Sequence, residues 1–283
     1  MTIQEHYIDL SLARTRYLES GTGPALLMLH GMGHSSSADS FEIVMPMLAR
    51  HYRVIAPDLL GFGKGDRQIE AGPTFDLMLE HLREFMDALG IARANVAGHS
   101  MGGWTAAHLA YQSPDRVAKL VLLNAAGLNA QIAPNVGAIK EVPPLAKLAE
   151  QARREFRDPS KATDAVVDAI ARSRHTMLSQ PNALHSLDPL LAIMQSPTLR
   201  ARTMLHRRLS KITAPALVIW GAGDVMDPYP TWTAEFERLG GEMARSSKPW
   251  VIPGARHVLL PTNHYSHWEL PEEIARLLGE FLA

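Results

Sequence analysis

The chain has 283 residues, 46% of them hydrophobic and 20% charged, enough to bury one full core and carry an insertion. A formal net charge of -1, with no long block of either sign, excludes the basic footprint of a nucleic-acid binder and leaves small molecules as the expected partners. The absence of cysteine excludes disulfides, thiolate nucleophiles and zinc-thiolate centres.

The first residues, Met1-Thr2-Ile3-Gln4-Glu5-His6, show no basic region leading into an apolar run. No apolar stretch approaches the roughly 18 residues that span a bilayer, so a soluble, cytoplasmic protein without membrane contact is expected. Segments 6–12 and 15–19 alternate in strand fashion and predict an antiparallel hairpin on a sheet edge. Short β-branched or leucine-rich runs follow at 25–29, 53–56, 95–97, 120–123, 216–220 and 250–252, while helical patterns occupy 75–89, 103–112 and 271–282. Brief apolar runs separated by amphipathic segments mark strands buried on both faces. The expectation is therefore an α/β, doubly wound, mostly parallel sheet of eight strands, six from the runs and two from the hairpin. From 127 to 211 the strand rhythm stops and a helical, proline-punctuated sequence takes over. That segment is expected to be a helical lid inserted into a core made of 1–126 and 212–283.

The chemistry centres on Gly98-His99-Ser100-Met101-Gly102, a G-x-S-x-G motif set between a predicted strand and a predicted helix. A turn that sharp lifts one side chain above the sheet and tolerates only small neighbours, which Gly98, Gly102 and Gly103 supply. Ser100 is thus the candidate nucleophile. A serine hydroxyl is weak at neutral pH and needs a base to take its proton and a carboxylate to hold that base in the right tautomer. Asp224, on the loop leaving the 216–220 strand, is the candidate acid, with Asp227 a second choice beside Pro228. His257 follows the predicted 250–252 strand and is the candidate base, with His264, close to the start of the last helix, as its rival. The oxyanion of an acyl intermediate needs backbone N–H donors. Met101, just after the nucleophile, offers one, and Met32 in the turn His30-Gly31-Met32-Gly33 offers the other, with Gly33 as an alternative.

Taken together, these residues resemble the α/β-hydrolase superfamily, in which nucleophile, acid and base occur in the chain order of Ser100, Asp224 and His257. The resemblance extends to Ala56-Pro57-Asp58-Leu59-Leu60-Gly61-Phe62-Gly63-Lys64 and to Ser113-Pro114-Asp115-Arg116-Val117, and covers nearly everything except the lid. A serine at the elbow, where haloalkane dehalogenases and epoxide hydrolases carry aspartate, implies acyl chemistry. The branch that it most resembles hydrolyses carbon-carbon bonds in ring-cleavage products, although His99 stands where that branch has asparagine and the oxyanion turn is shorter. That branch uses a lid arginine for the substrate carboxylate, a role for which Arg172 or Arg174 is available. The resemblance implies a serine hydrolase of small, largely apolar carboxylic esters working through an acyl-enzyme on Ser100, with no cofactor or metal. The alternative is a carbon-carbon hydrolase of ring-cleavage dienoates. A more remote one is a ligand-sensing homologue with slow turnover.

Overall fold

The computed structural model describes residues 1–69, 74–128, 139–196, 198, 203–205, 208–226 and 252–283. Eight strands form one sheet: β1 (Gln4–Asp9), β2 (Arg14–Ser20), β3 (Ala25–Leu29), β4 (Arg53–Pro57), β5 (Ala94–His99), β6 (Val117–Leu123), β7 (Ala216–Gly221) and β8 (Arg256–Leu260). Their spatial order is β1-β2-β4-β3-β5-β6-β7-β8. The β1–β2 hairpin joins the sheet antiparallel through β4, and the remaining strands run parallel. Hairpin pairing needs only a short connection, whereas each parallel crossover needs a helix long enough to return the chain.

The helices are α1 (Met45–Leu48), α2 (Phe75–Ala88), α3 (Met101–Gln112), α4 (Leu145–Arg154), α5 (Asp164–Leu178), α6 (Asp188–Gln195), α7 (Ser266–Glu269) and α8 (Pro271–Leu282). Alternation along the strands decides which face each residue serves. Leu27, Leu29, Val96 and Leu122 turn to one side, where Phe75, Leu79 and Leu82 of α2 and Ala106 and Leu109 of α3 cover them. Leu26, Met28, Ala97 and Val121 turn to the other, under Met45 and Leu48 of α1 and Ile274, Leu277 and Leu278 of α8. Burial on both faces is what makes these runs almost wholly apolar. Among the described residues no helix is long and apolar enough to cross a membrane.

The final strand differs from the sequence expectation. Residues 250 and 251 lie outside the described residues, and the strand that pairs with β7 is Arg256–Leu260. Pro253 lacks an N–H for a ladder and Gly254 turns the chain at φ 68°, and β8 begins two residues beyond that turn. At the sheet edge β8 buries only Leu260 fully, and so it lacks the apolar run that marks the inner strands.

Between β6 and β7 the chain forms α4, α5 and α6. Helices α4 and α5 bury their own small clusters, with Ala152, Phe156, Val167 and Ile170 packed against Trp268 in one and Leu148, Ala171 and Leu178 in the other. Leu187 and Leu190 instead join the main core beneath, as do Leu205 and Leu209. The segment expected to be one lid thus contains two packings.

Several histidines are buried in this fold. Burial pushes His30 and His108 down to about 4 and His267 to about 3, and holds His99 well below its ordinary value. The native state therefore excludes protons that the unfolded chain binds below its ordinary histidine value of 6.5. Stability from these groups is complete above that value and is lost as pH falls from it towards 4 and 3. On the order of 1 to 2 kcal/mol per histidine should be lost by pH 5. Urea midpoints measured at pH 7.5, 6 and 5 should fall steadily across a range in which the ordinary surface carboxylates remain ionised. A midpoint flat down to pH 5 would contradict the neutral, buried imidazoles.

Candidate active site

Ser100 stands between β5 and α3 with φ 52° and ψ -120°, a conformation that a non-glycine residue adopts only under constraint. Its backbone is fixed on both sides: its N–H donates to Leu123 O at 3.0 Å, and its carbonyl accepts from Trp104 N and Ala126 N, each at 3.0 Å. The surrounding glycines are required by contact. A Cβ on Gly102 would fall 2.0 Å from Leu29 O, one on Gly98 2.2 Å from Gly102 O, and one on Gly103 2.5 Å from the Ala125 Cβ. Main chain therefore meets main chain at the carboxyl edge of the sheet, and Ser100 projects there into a cavity of about 520 Å³.

Asp224 lies on the loop after β7 and is fully buried, and its Oδ2 accepts Nδ1–H of His264 at 2.8 Å. The register of the last two strands explains this pairing. Leu260 pairs with Gly221 at the strand ends, and the ladder continues past them, with Ala222 N donating to Leu260 O at 2.8 Å and Gly223 N to Thr262 O at 2.9 Å. Gly221 allows the loops to close, since a Cβ there would meet Asn263 O at 2.0 Å. The loops carrying Asp224 and His264 are thereby zipped side by side.

Of the two candidate bases it is His264, the rival in the sequence, that the structure brings to the aspartate. His257 is the second residue of β8, opposite Val218, three residues before Leu260 and about 10 Å back from the strand's end. His264 occupies the position after the final strand that the expectation assigned to His257. With Nδ1–H given to Asp224, the imidazole presents Nε2 as its free lone pair, the tautomer a general base requires. His264 and Ser100 line the same cavity, and His99 Nε2–H donates to His264 O at 2.9 Å, tying the loop to the elbow. Asp227 lies outside the described residues.

A second layer, which the sequence reading did not find, holds the acid. Asn124, just after β6 at φ 44°, donates Nδ2–H to Asp224 Oδ2 at 2.8 Å, and Met226 N donates to Oδ1 at 2.9 Å. Asn124 Oδ1 accepts from Ser266 Oγ at 3.0 Å, and Ser266 bonds Thr262 Oγ1 at 2.7 Å. An asparagine after an inner strand, where a left-handed turn suits it, was the available signal.

The turn after β3 is arranged by His30. Its Nε2 accepts Leu59 N–H at 2.9 Å, so Nδ1 carries the proton and donates to Gly31 O at 2.8 Å. That bond draws the Gly31 carbonyl into the interior, and because a trans peptide sets N–H opposite C=O, the N–H of Met32 is turned the other way. Met32 and Gly33 both line the cavity. Met101 begins α3, where first-turn N–H groups have no partner within the helix.

The far wall is polar. Arg174 of α5 lines the cavity with its side chain 12% exposed and donates Nη2–H to Glu155 Oε2 at 2.6 Å, while Arg172 is exposed and near Asp168. The Arg174 guanidinium also sits 5.2 Å from the Trp268 ring centre and 5.9 Å from that of Tyr265. Of the apolar residues between β6 and β7, Leu148, Ile170 and Leu178 reach the cavity, while Phe156 packs beneath it. Trp104 is a core residue, its Nε1–H bonded to Thr203 O at 2.7 Å.

Comparison with known proteins agrees with this architecture. The chain is 30% identical over 271 residues to 2-hydroxymuconate semialdehyde hydrolase of Pseudomonas sp. (strain CF600), covering 95% of this chain and 90% of that one. It is 32% identical over 282 residues to a 2-hydroxy-6-oxononadienedioate/2-hydroxy-6-oxononatrienedioate hydrolase of Burkholderia vietnamiensis, covering 95% and 91%. Among solved structures it is similar to the meta-cleavage product hydrolase of Pseudomonas fluorescens IP01, at 26% identity and a TM-score of 0.75 over 95% of this chain and 94% of that one. The family model for the alpha/beta hydrolase fold matches residues 24–269, and with the strand order and elbow described above the chain belongs to the α/β-hydrolase family.

Proposed function

We propose that the protein hydrolyses a carbon-carbon bond in a 2-hydroxy-6-oxo-dienoate of the kind left by aromatic ring cleavage, with Ser100, His264 and Asp224 as its triad. One observation carries this reading: a mostly buried guanidinium, Arg174, lines the same cavity as the serine and its histidine, as a substrate with a ketone at one end and a carboxylate at the other requires. The names of the relatives support it. The sequence alone favoured small, apolar esters, and the polar far wall and the relatives favour the carbon-carbon alternative.

In this reading His264 Nε2 takes the Ser100 proton as Oγ adds to the ketone carbon, and the N–H groups of Met32 and Met101 receive the oxyanion. In the 2,6-dioxo tautomer of the substrate, formed by shift of the 2-hydroxyl proton to carbon 5, the bond between carbons 5 and 6 then breaks, its electron pair passing through the enone to the oxygen on carbon 2, which takes the proton from His264. The acyl group left on Ser100 is released by water, with His264 again as base. Helices α4 and α5 are the covering part of the proposed 127–211 lid. The same machinery opens activated esters, and ester hydrolysis is the second reading, favoured by the fact that Arg174 already has a counter-ion.

Two experiments test the proposal. Intact mass after fluorophosphonate treatment should show one adduct, absent in Ser100→Ala. His264→Ala should lose about 10³-fold or more in ester turnover, while His257→Ala stays within about twofold of the parent. The opposite ranking of the two histidines would reject the triad. With a 6-substituted 2-hydroxy-6-oxohexa-2,4-dienoate, the conjugated absorbance should decay, and Arg174→Ala should raise KM about 10- to 100-fold with a smaller change in kcat. Brisk ester turnover with no dienoate decay would replace this reading with the second one.

A further inference from the structure

The Arg174–Glu155 pair raises a question of charge. Arg174 is the cationic group on the inner wall of the cavity that the proposed reading gives to a substrate carboxylate, yet Glu155 already holds it at 2.6 Å, and both side chains line the cavity. Glu155 sits at the C-cap of α4 and Arg174 in the last turns of α5, so the pair spans the two helices that cover the serine. The groups that face the pair are His264 and Tyr265 on the loop after β8. Tyr265 stacks on Trp268 with ring centres 4.0 Å apart, and its ring centre lies 5.9 Å from the guanidinium. Around the remaining wall stand Lys140, Glu141 and Lys147 before and on α4, with Asp39 and Glu42 on the opposite side. Asp39 is already committed, accepting Arg16 Nη2–H at 2.6 Å and Ser173 Oγ–H at 2.8 Å.

We propose that Glu155 is a specificity-determining residue that makes the entry of an anionic substrate proton-coupled: a substrate carboxylate takes Arg174 only together with one solvent proton that goes onto Glu155. The physical reason is that one guanidinium offsets one negative charge, so bringing a second carboxylate to it away from water favours protonation of one of the two. Of the two, Glu155 is the one fixed in the protein, and its carboxyl is already raised above the ordinary value by burial, against the opposing pull of Arg174. Once protonated, Glu155 becomes a hydrogen-bond donor that can bridge to the incoming carboxylate. A neutral substrate needs no such proton, because the pair can stay closed beside it. The coupling rests on Arg174 as the partner of the substrate carboxylate, and it applies equally to an ester or a dienoate.

The test compares two esters with the same leaving group, 4-nitrophenyl hydrogen glutarate, which carries a free carboxylate, and 4-nitrophenyl valerate, which does not. Taking the ratio of their kcat/KM values cancels any pH dependence of the chemical step that both esters share. The acid-to-neutral ratio of the parent should fall about tenfold per pH unit across the upper part of the pH 6 to 9 range, through KM and not kcat. In Glu155→Gln the ratio should become independent of pH and exceed the parent's by at least tenfold at pH 8. Arg174→Gln should lower the ratio at every pH. As a check that does not depend on a folded variant at position 155, calorimetry of glutarate binding to the Ser100→Ala protein in buffers of different ionisation enthalpy should show uptake of close to one proton. A flat parent ratio, an unchanged ratio in Glu155→Gln, or glutarate binding without proton uptake would each overturn the proposal. Retained ester selectivity with no dienoate cleavage would instead reject the carbon-carbon reading alone.

Discussion

The site depends first on how closely backbone can approach backbone at the carboxyl edge of the sheet. Gly102 lies where a single methyl group would collide with Leu29 O, and Gly98 where it would collide with Gly102 O. This proximity allows α3 to start directly from β5 and leaves Ser100 at positive φ with its N–H and carbonyl both bonded. The same principle acts at the other end of the site, where Gly221 admits Asn263 O and lets the loops after β7 and β8 run side by side. The strain at the serine is held by packing on every side, as is usual where a side chain must be aimed and not merely placed.

The segment that carries His264 also holds the covering helices. Glu269, buried at the end of α7, accepts the N–H groups of Arg157 at 3.1 Å and Asp158 at 2.7 Å, just beyond α4, and that of Asn263 at 3.4 Å, next to the histidine. Trp268 packs into the α4–α5 cluster and donates Nε1–H to Ser40 O at 2.8 Å. From the opposite side, Asp39 joins Ser173 of α5 to Arg16, a buried arginine of β2 that also lies by Glu5 and Asp58. Asp58 in turn accepts the N–H groups of Ala38 at 2.7 Å and Lys64 at 2.8 Å. The Asp-Leu-Leu-Gly-Phe-Gly motif after β4 is therefore an anchor for the cavity wall. His264, helices α4 and α5 and the turn after β3 form one connected frame, so displacement of the two helices bears on the position of the imidazole.

How the charges are distributed follows from the same packing. The histidines behind the elbow are kept neutral by burial, so His99 and His267 can crowd His264 without imposing full positive charge on it. Two ion pairs stand on the cavity wall, Arg174 with Glu155 and Asp39 with Arg16. An anionic ligand drawn to Arg174 would have to exchange one ion pair for another, so charge balance as well as shape bears on what such a wall admits.

Much of this was legible along the chain. Strands β3 and β6, the hairpin of β1 and β2, the elbow and the acid's loop all announce themselves by local pattern, because burial on two faces demands apolar runs and a sharp turn demands glycine. Strand β8 was misplaced because an edge strand buries little, and with it the histidine after the last strand was numbered as His257 instead of His264. Glu155, Tyr265 and Glu269 carry no signal in isolation, since each acts through a partner at least 19 residues away in the chain. Sequence by itself thus determined the fold class, the nucleophile's turn and the order of the chemical groups, which depend on local sterics and hydrophobic period. Which histidine meets the aspartate, and which arginine faces the serine, was decided only by the tertiary structure, because strand register and helix packing bring together residues that no spacing along the chain connects.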